Sequence, residues 1–260
     1  NPTFTEKNIV DLHDSVIFSS SHAKDSFENV NCENVHNVPL GFDEDFFETG
    51  KSYLEDKIHF GIMGKWEKRK HTGKIIKLWA KKYGNNPKYQ LTCCVVNPFF
   101  KEQEMNQIIS QAFEGKNYGN INFLPRVKTN SEVNEYLNAI DIDLSGLSGA
   151  EGWNLPAFNS SCLGKWSVVL NSTSHKDWAN SDNCILVEPS GQESSEDGVF
   201  FKKDLPFNQG SINTFNEDFV ISKLEEAEKK CAEKNTEGIK LKEIFTYKKT
   251  LDSILKIINA

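Results

Sequence analysis

Ser148-Gly149-Ala150-Glu151-Gly152-Trp153-Asn154-Leu155-Pro156-Ala157-Phe158-Asn159-Ser160-Ser161-Cys162-Leu163-Gly164 is the stretch that decides how this chain is read. Before it, Ile140-Asp141-Ile142-Asp143-Leu144 alternates like a strand. After the turn, Pro156 falls in the first turn of a short helix and Gly164 just past its end. Strand, glycine-bearing turn and helix N-terminus in that order bring free backbone N–H groups to the positive end of a helix dipole, and Gly149 and Gly152 let a ligand come close. A phosphate or diphosphate fits such a corner. Glu151, a carboxylate at its edge, then faces whatever the diphosphate carries, because two anions in contact repel. Spacing alone leaves a plain strand-to-helix turn equally open.

A second cluster lies far upstream. Ile58-His59-Phe60-Gly61-Ile62-Met63-Gly64 reads as a strand that empties into Lys65-Trp66-Glu67-Lys68-Arg69-Lys70-His71-Thr72. The helix after it carries Ile75, Ile76, Leu78 and Trp79 among four lysines, an amphipathic pattern with a basic face. Cations crowd the positive end of that helix, where acids are preferred, so an anionic ligand would relieve the repulsion. Ligands of doubly wound sheets bind beyond the carboxyl ends of strands, and Lys65 directly follows one.

These two stretches carry a resemblance. Glu151-Gly152-Trp153-Asn154-Leu155-Pro156 resembles the E-G-x-x-L-P signature of the retaining GT-B glycosyltransferases of family 4, and Gly64 to Lys70 resembles that family's G-R/K-x-x-x-x-K segment. The resemblance implies that Glu151 is the catalytic carboxylate at the donor sugar. The backbone amides of Gly152, Trp153, Asn154 and Leu155 would hold sugar and phosphate, and Lys65 and Lys70, with Arg69 as helper, would grip the diphosphate. The family's second Glu, which holds the ribose, falls eight positions after Glu151. Here that position is Asn159, which turns a charge-assisted bond into a neutral one. By the same resemblance, the exit of the strand Ile121 to Val127 lines the base pocket with Arg126 and Val127, and His175, in the loop Ser172 to Trp178, contacts the sugar or diphosphate.

The rest of the chain extends the pattern. Residues 1–50 resemble the end of a GT-B N-terminal domain and its linker, with Val35 to Asp43 as closing strand and connection. Residues 51–260 read as the donor-binding domain with C-terminal helices. By this resemblance a complete enzyme is expected to have well over ~100 additional residues upstream for the acceptor domain, in keeping with a typical domain size of about 100–150. Tyr89 to Val96 suits a strand buried on both faces, Glu102 to Phe113 is helical, Ser131 starts a capped helix, and Cys184 to Pro189 is the last strand. Ser190 to Gly210 reads as a long polar surface excursion, and Asp218 to Cys231 and Leu241 to Ile258 as closing helices. The fold class is α/β, a Rossmann-like doubly wound parallel sheet forming the C-terminal half of a GT-B enzyme.

Composition bounds the use. A net charge of -7 argues against nucleic acid as partner, and no apolar run approaches the ~20 residues of a membrane span, so a cytoplasmic protein is expected. The six cysteines show no zinc spacing and read as free thiols. The expected activity is transfer of a sugar, with retention, from a UDP- or GDP-sugar to an unidentified hydroxyl acceptor. No cofactor and no metal are required, since the cationic loop does the electrostatic work. A non-catalytic or truncated sugar-nucleotide-binding module of the same fold is the alternative. A dinucleotide oxidoreductase is disfavoured, because no G-x-G-x-x-G follows the first strand.

Overall fold

The computed structural model describes residues 2–259. The chain opens with helix α1 (Phe4–Asp11), strand β1 (Val16–Phe18), helix α2 (Ser21–Glu28) and strand β2 (Val35–Asn37). β1 and β2 form a two-stranded parallel sheet around a small cluster of Val10, Cys32 and Val35. The sequence reading did not include α1; Thr3 and Glu6 close a capping box at its start.

The main sheet is built from β3 (Ile58–Met63), β4 (Tyr89–Cys94), β5 (Ile121–Phe123), β6 (Ile142–Asp143), β7 (Trp166–Leu170) and β8 (Ile185–Val187). All neighbouring pairs are parallel, in the order β5-β4-β3-β6-β7-β8. Helices α3 (Thr72–Tyr83), α4 (Glu102–Ala112), α5 (Asn130–Ala139) and α6 (Leu155–Cys162) connect the strands. The chain steps from β3 outward to β5, then returns to the other side of β3 to lay down β6. Strand order reverses between β3 and β6, and a crevice opens beyond the carboxyl ends at such a reversal. The two loops singled out in the sequence leave these two strands, so topology alone makes them neighbours.

Both faces of the sheet are covered, which is why its strands read as apolar runs; every residue of β7 is buried. On one face Phe60, Ile62 and Leu91 pack with Ile75, Ile76, Trp79 and Tyr83 of α3 and with Val220 and Leu224 of α7 (Glu217–Lys230). On the other, Val169 packs with Tyr136 and Leu137 of α5 and Ala157, Phe158 and Cys162 of α6. Burying a side chain such as Phe60 or Ile76 contributes about 1.5–3 kcal/mol relative to leaving it exposed.

Three local expectations are corrected. The cap of α5 is Thr129 rather than Ser131: its Oγ1 accepts from Glu132 N at 3.2 Å and the Glu132 carboxylate accepts from Thr129 N at 3.0 Å. Thr129→Ala is therefore expected to cost about 1 kcal/mol in urea unfolding. The polar stretch after Pro189 is not structureless, because β9 (Gly191–Ser194) pairs with β10 (Ser211–Thr214) as an antiparallel hairpin. Leu241 to Ile258 is not one helix. α8 (Thr236–Ile244) stops at Phe245, and α9 (Tyr247–Ile258) restarts at Thr246, whose side chain caps it. The break lets Phe42 N donate to Phe245 O at 2.9 Å, tying the segment after β2 to the C-terminal helices. All six cysteines are free, and Cys231 alone among them is not fully buried.

Candidate active site

The loop after β3 and the loop after β6 are bound to each other through their backbones. Gly149 N donates to Arg69 O at 2.9 Å, and Ser148 Oγ donates to the same oxygen at 3.3 Å. The Arg69 guanidinium donates to Ala150 O. Gly149 has no room for a side chain, since a Cβ there would lie 2.6 Å from Asn213 O and from His71 Nε2.

Five charged side chains form an alternating chain across this junction. Lys65 pairs with Glu67 Oε1 at 2.6 Å, and Glu67 Oε2 accepts from Arg69 at 3.1 Å. Arg69 pairs with Glu151 Oε2 at 3.2 Å, and Glu151 Oε1 accepts from Lys70 at 2.5 Å. Lys70 reaches Glu151 by lying over Gly64, whose φ of +145° excludes most side chains. Burial pushes the Glu151 carboxyl up, yet Lys70 and Arg69 together hold it below its ordinary value. Of the expected diphosphate ligands, Lys70 and Arg69 therefore meet the Glu151 turn. Lys65 does not: it lies 5.0 Å and 5.5 Å from the ring centroids of Phe200 and Phe99, on the hairpin side.

The turn itself is shaped by Asn154, which has φ 67° and ψ 65° and makes no side-chain cap to α6. Among the described residues, none accepts a hydrogen bond from the N–H groups of Gly152, Trp153, Asn154 or Leu155. Trp153 anchors the turn from below. It is 3% exposed, packs edge-on to Phe158 and Phe245, and its carbonyl accepts from Trp178 Nε1 at 3.0 Å. Free amides, two cations and a carboxylate thus share one corner, an arrangement that can bind an anion and orient a neutral polyol beside it.

His175 is placed differently from the expectation. It is wholly buried, with Nδ1 at 2.7 Å from Leu170 O and Nε2 at 2.9 Å from Asn154 Nδ2, so it touches the turn and not the corner. Asn159 is also enclosed, at 5% exposure, and its Oδ1 has no partner; a ribose hydroxyl meets it only where its surroundings open. Arg126 borders a cavity of about 510 Å³ at the exits of β4 and β5, with Val95, Phe100, Met105 and Leu124. Val127 packs beside the core rather than lining that cavity.

Two parts of the site were missed. Glu67, with its side chain 5% exposed, bridges two cations; its one signal was an acid inside a run of bases. The hairpin β9–β10 forms a wall, with Asn213 N donating to Gly149 O at 3.0 Å and Asn213 O lying 2.8 Å from His71 Nε2. From the N-terminal unit, Ser19 Oγ donates to Gly152 O at 2.7 Å. Among the described residues no group of three or more His, Cys, Asp or Glu side chains is placed to hold a metal.

Beneath the junction Asp143 is fully buried at the end of β6. It accepts from Ser145 N at 3.0 Å and from Ser145 Oγ at 2.7 Å, and Ser145 Oγ accepts in turn from Met63 N at 2.8 Å. Burial pushes its carboxyl up to about 7. A carboxyl raised on folding favours the protonated folded state, so its contribution is lost as pH rises from the unfolded value toward 7. Asp143→Asn is expected to be more stable than the parent at pH 8, with the difference shrinking toward pH 4, as read by thermal unfolding across that range.

No family model matches the chain, and no curated protein matches it in sequence. Solved structures do. Sucrose-phosphate synthase from Thermosynechococcus elongatus superposes with a TM-score of 0.74 at 13% identity, over 98% of this chain and 60% of that one. Anabaena HepE, solved in complex with UDP and glucose, gives 0.72 at 14% identity, over 98% of this chain and 67% of that one. The C-terminal domain of a group 1 glycosyltransferase, LpcC from Francisella tularensis, gives 0.53 at 18% identity, over 76% of this chain and 94% of that domain. The fold is the Rossmann-like α/β fold of GT-B glycosyltransferases. The chain spans about 60% of the length of the synthase it matches. No helix is long and apolar enough to cross a membrane among the described residues.

Proposed function

We propose that this chain is the donor-binding part of a retaining GT-B glycosyltransferase, moving a sugar from a nucleoside diphosphate sugar to a hydroxyl acceptor. One observation carries the proposal: Lys70 and Arg69 converge on the same turn that presents four backbone N–H groups without acceptors. The diphosphate would take those amides and draw Lys70 and Arg69 from Glu151 onto its own oxygens. Glu151, released, would turn to the hydroxyls of the sugar. As the leaving group departs, negative charge grows on the diphosphate and positive charge on the sugar ring; the cations and the α6 terminus stabilise the first, Glu151 the second. Lys65 would join from the hairpin side by exchanging Glu67 for phosphate. The cavity bordered by Arg126 would take the base, with residues 1–50 the end of an acceptor domain. UDP is the favoured nucleotide because HepE was solved with it.

Calorimetric titration with UDP, GDP and NAD tests the binding half of this reading. Binding of UDP or GDP without NAD supports it, and NAD binding alone removes it. Release of free sugar or transfer to an acceptor alcohol from UDP-glucose then tests turnover. Binding without turnover would favour the second reading, a non-catalytic sugar-nucleotide module, for which Asn159 in place of a carboxylate is the specific observation.

A further inference from the structure

We propose that His175 is a positioning residue: acting through the Asn154 carboxamide, it holds residue 154 in the left-handed conformation that turns the Gly152 to Leu155 amides toward the ligand corner. The inference rests on the donor-site reading for its importance and on the hydrogen-bond pattern for its content.

The pattern leaves one assignment of protons. Leu170 O can only accept, so the imidazole Nδ1 at 2.7 Å carries a hydrogen and donates it. Nε2 is then an acceptor. Ser145 O can likewise only accept, so the Asn154 group facing it at 2.9 Å is the amide nitrogen. That nitrogen has two hydrogens, one for Ser145 O and one for His175 Nε2 at 2.9 Å. The relay runs from one backbone carbonyl, through a neutral imidazole and a carboxamide, to another. Both side chains are enclosed, at 0% and 5% exposure, so water does not replace a lost member.

The relay explains an oddity of α6. Asparagine at the start of a helix ordinarily turns its side chain onto the free N–H groups. Here it makes no cap, because the carboxamide is committed in the opposite direction. The amides are left for a ligand, and a non-glycine residue is kept at φ 67°. Glycine adopts that conformation without help, so the need for His175 should vanish when residue 154 is glycine.

The test is a double-mutant cycle read by UDP titration. His175→Ala is expected to weaken UDP binding about tenfold, the size of one enclosed hydrogen bond. Added to Asn154→Gly, the same change should alter affinity by less than about twofold, whatever the affinity of that background. Equal weakening in both backgrounds, or none in either, overturns the proposal. Without ligand, the backbone amide resonances of residues 152–155 should move on His175→Ala and not when it is added to Asn154→Gly; unmoved resonances in the first case also overturn it. A parent protein that binds no nucleoside diphosphate would end the donor-site reading and leave this second readout to decide the relay. Should His175→Ala fail to fold, Asn154→Ala should bind UDP at least about fivefold more weakly than Asn154→Gly, since only alanine is strained there. Equal affinities would contradict the relay.

Discussion

Lys70→Ala is expected to weaken UDP binding by on the order of 1–3 kcal/mol, roughly five- to 150-fold, because it deletes a charge-assisted contact in a partly enclosed corner. Titration calorimetry reads the loss. The same variant should change the ligand-free protein, which separates it from a surface lysine. In the parent, Lys70 and Arg69 outweigh burial and keep the Glu151 carboxyl below its ordinary 4.5. A depressed carboxyl contributes stability that is present above its unfolded pKa and lost as pH falls through the folded one. Without Lys70, burial meets Arg69 alone, and the balance moves toward the protonated acid. The stability advantage of neutral over acid pH should therefore shrink in Lys70→Ala, as read by thermal unfolding between pH 3 and pH 8. An unchanged pH profile would mean that Lys70 and Glu151 are not paired in solution.

Gly149→Ala is expected to destabilise the protein by about 1–3 kcal/mol and to weaken UDP binding with it. The added Cβ would stand 2.6 Å from Asn213 O and 3.1 Å from Ile212 Cβ, on the hairpin strand β10, and 2.6 Å from His71 Nε2 at the start of α3. Two of these atoms belong to a backbone and a fully packed side chain, so the strain cannot be relieved by rotating a free chain end. The hairpin would have to lift from Gly149, breaking the Asn213 N to Gly149 O bond and loosening the Gly149 N to Arg69 O bond that sets Arg69 against the turn. Gly115, at φ +74° with nothing within 4 Å of an added Cβ, gives the comparison. Its replacement strains only the local backbone and should leave UDP affinity alone. Urea unfolding and calorimetry on both variants check the pair.

The sheet could be read from the chain because strands covered on both faces are mostly apolar, and β3, β4 and β7 are, with His59, Gln90, Thr92 and Ser167 the polar exceptions. The turn at Glu151 to Pro156 was legible for a local reason: glycine spacing and a proline at the start of a helix encode it within six residues. What stayed hidden depends on partners far along the chain. Nothing in Gly191-Gln192-Glu193-Ser194 marks a strand; it pairs with β10, whose Asn213 bonds Gly149, through tertiary contacts alone. Glu67 looked like an interruption among lysines, and only the fold brings both of its oxygens to different cations. His175 read as a loop residue open to ligand, whereas the packing of α2 and Trp178 around its loop encloses it. The C-terminal helices divide at Phe245, where the carbonyl accepts from the distant Phe42 N, a contact that no helical periodicity records.

The most direct measurement is a titration of the isotopically labelled protein with UDP, followed through its backbone amide resonances. A nucleoside diphosphate seated between Lys70 and the start of α6 should move the resonances of Gly152, Trp153, Asn154 and Leu155 first and furthest, with UMP moving them less. Saturable binding that leaves these four in place while shifting others, or no response at millimolar UDP, would contradict the site.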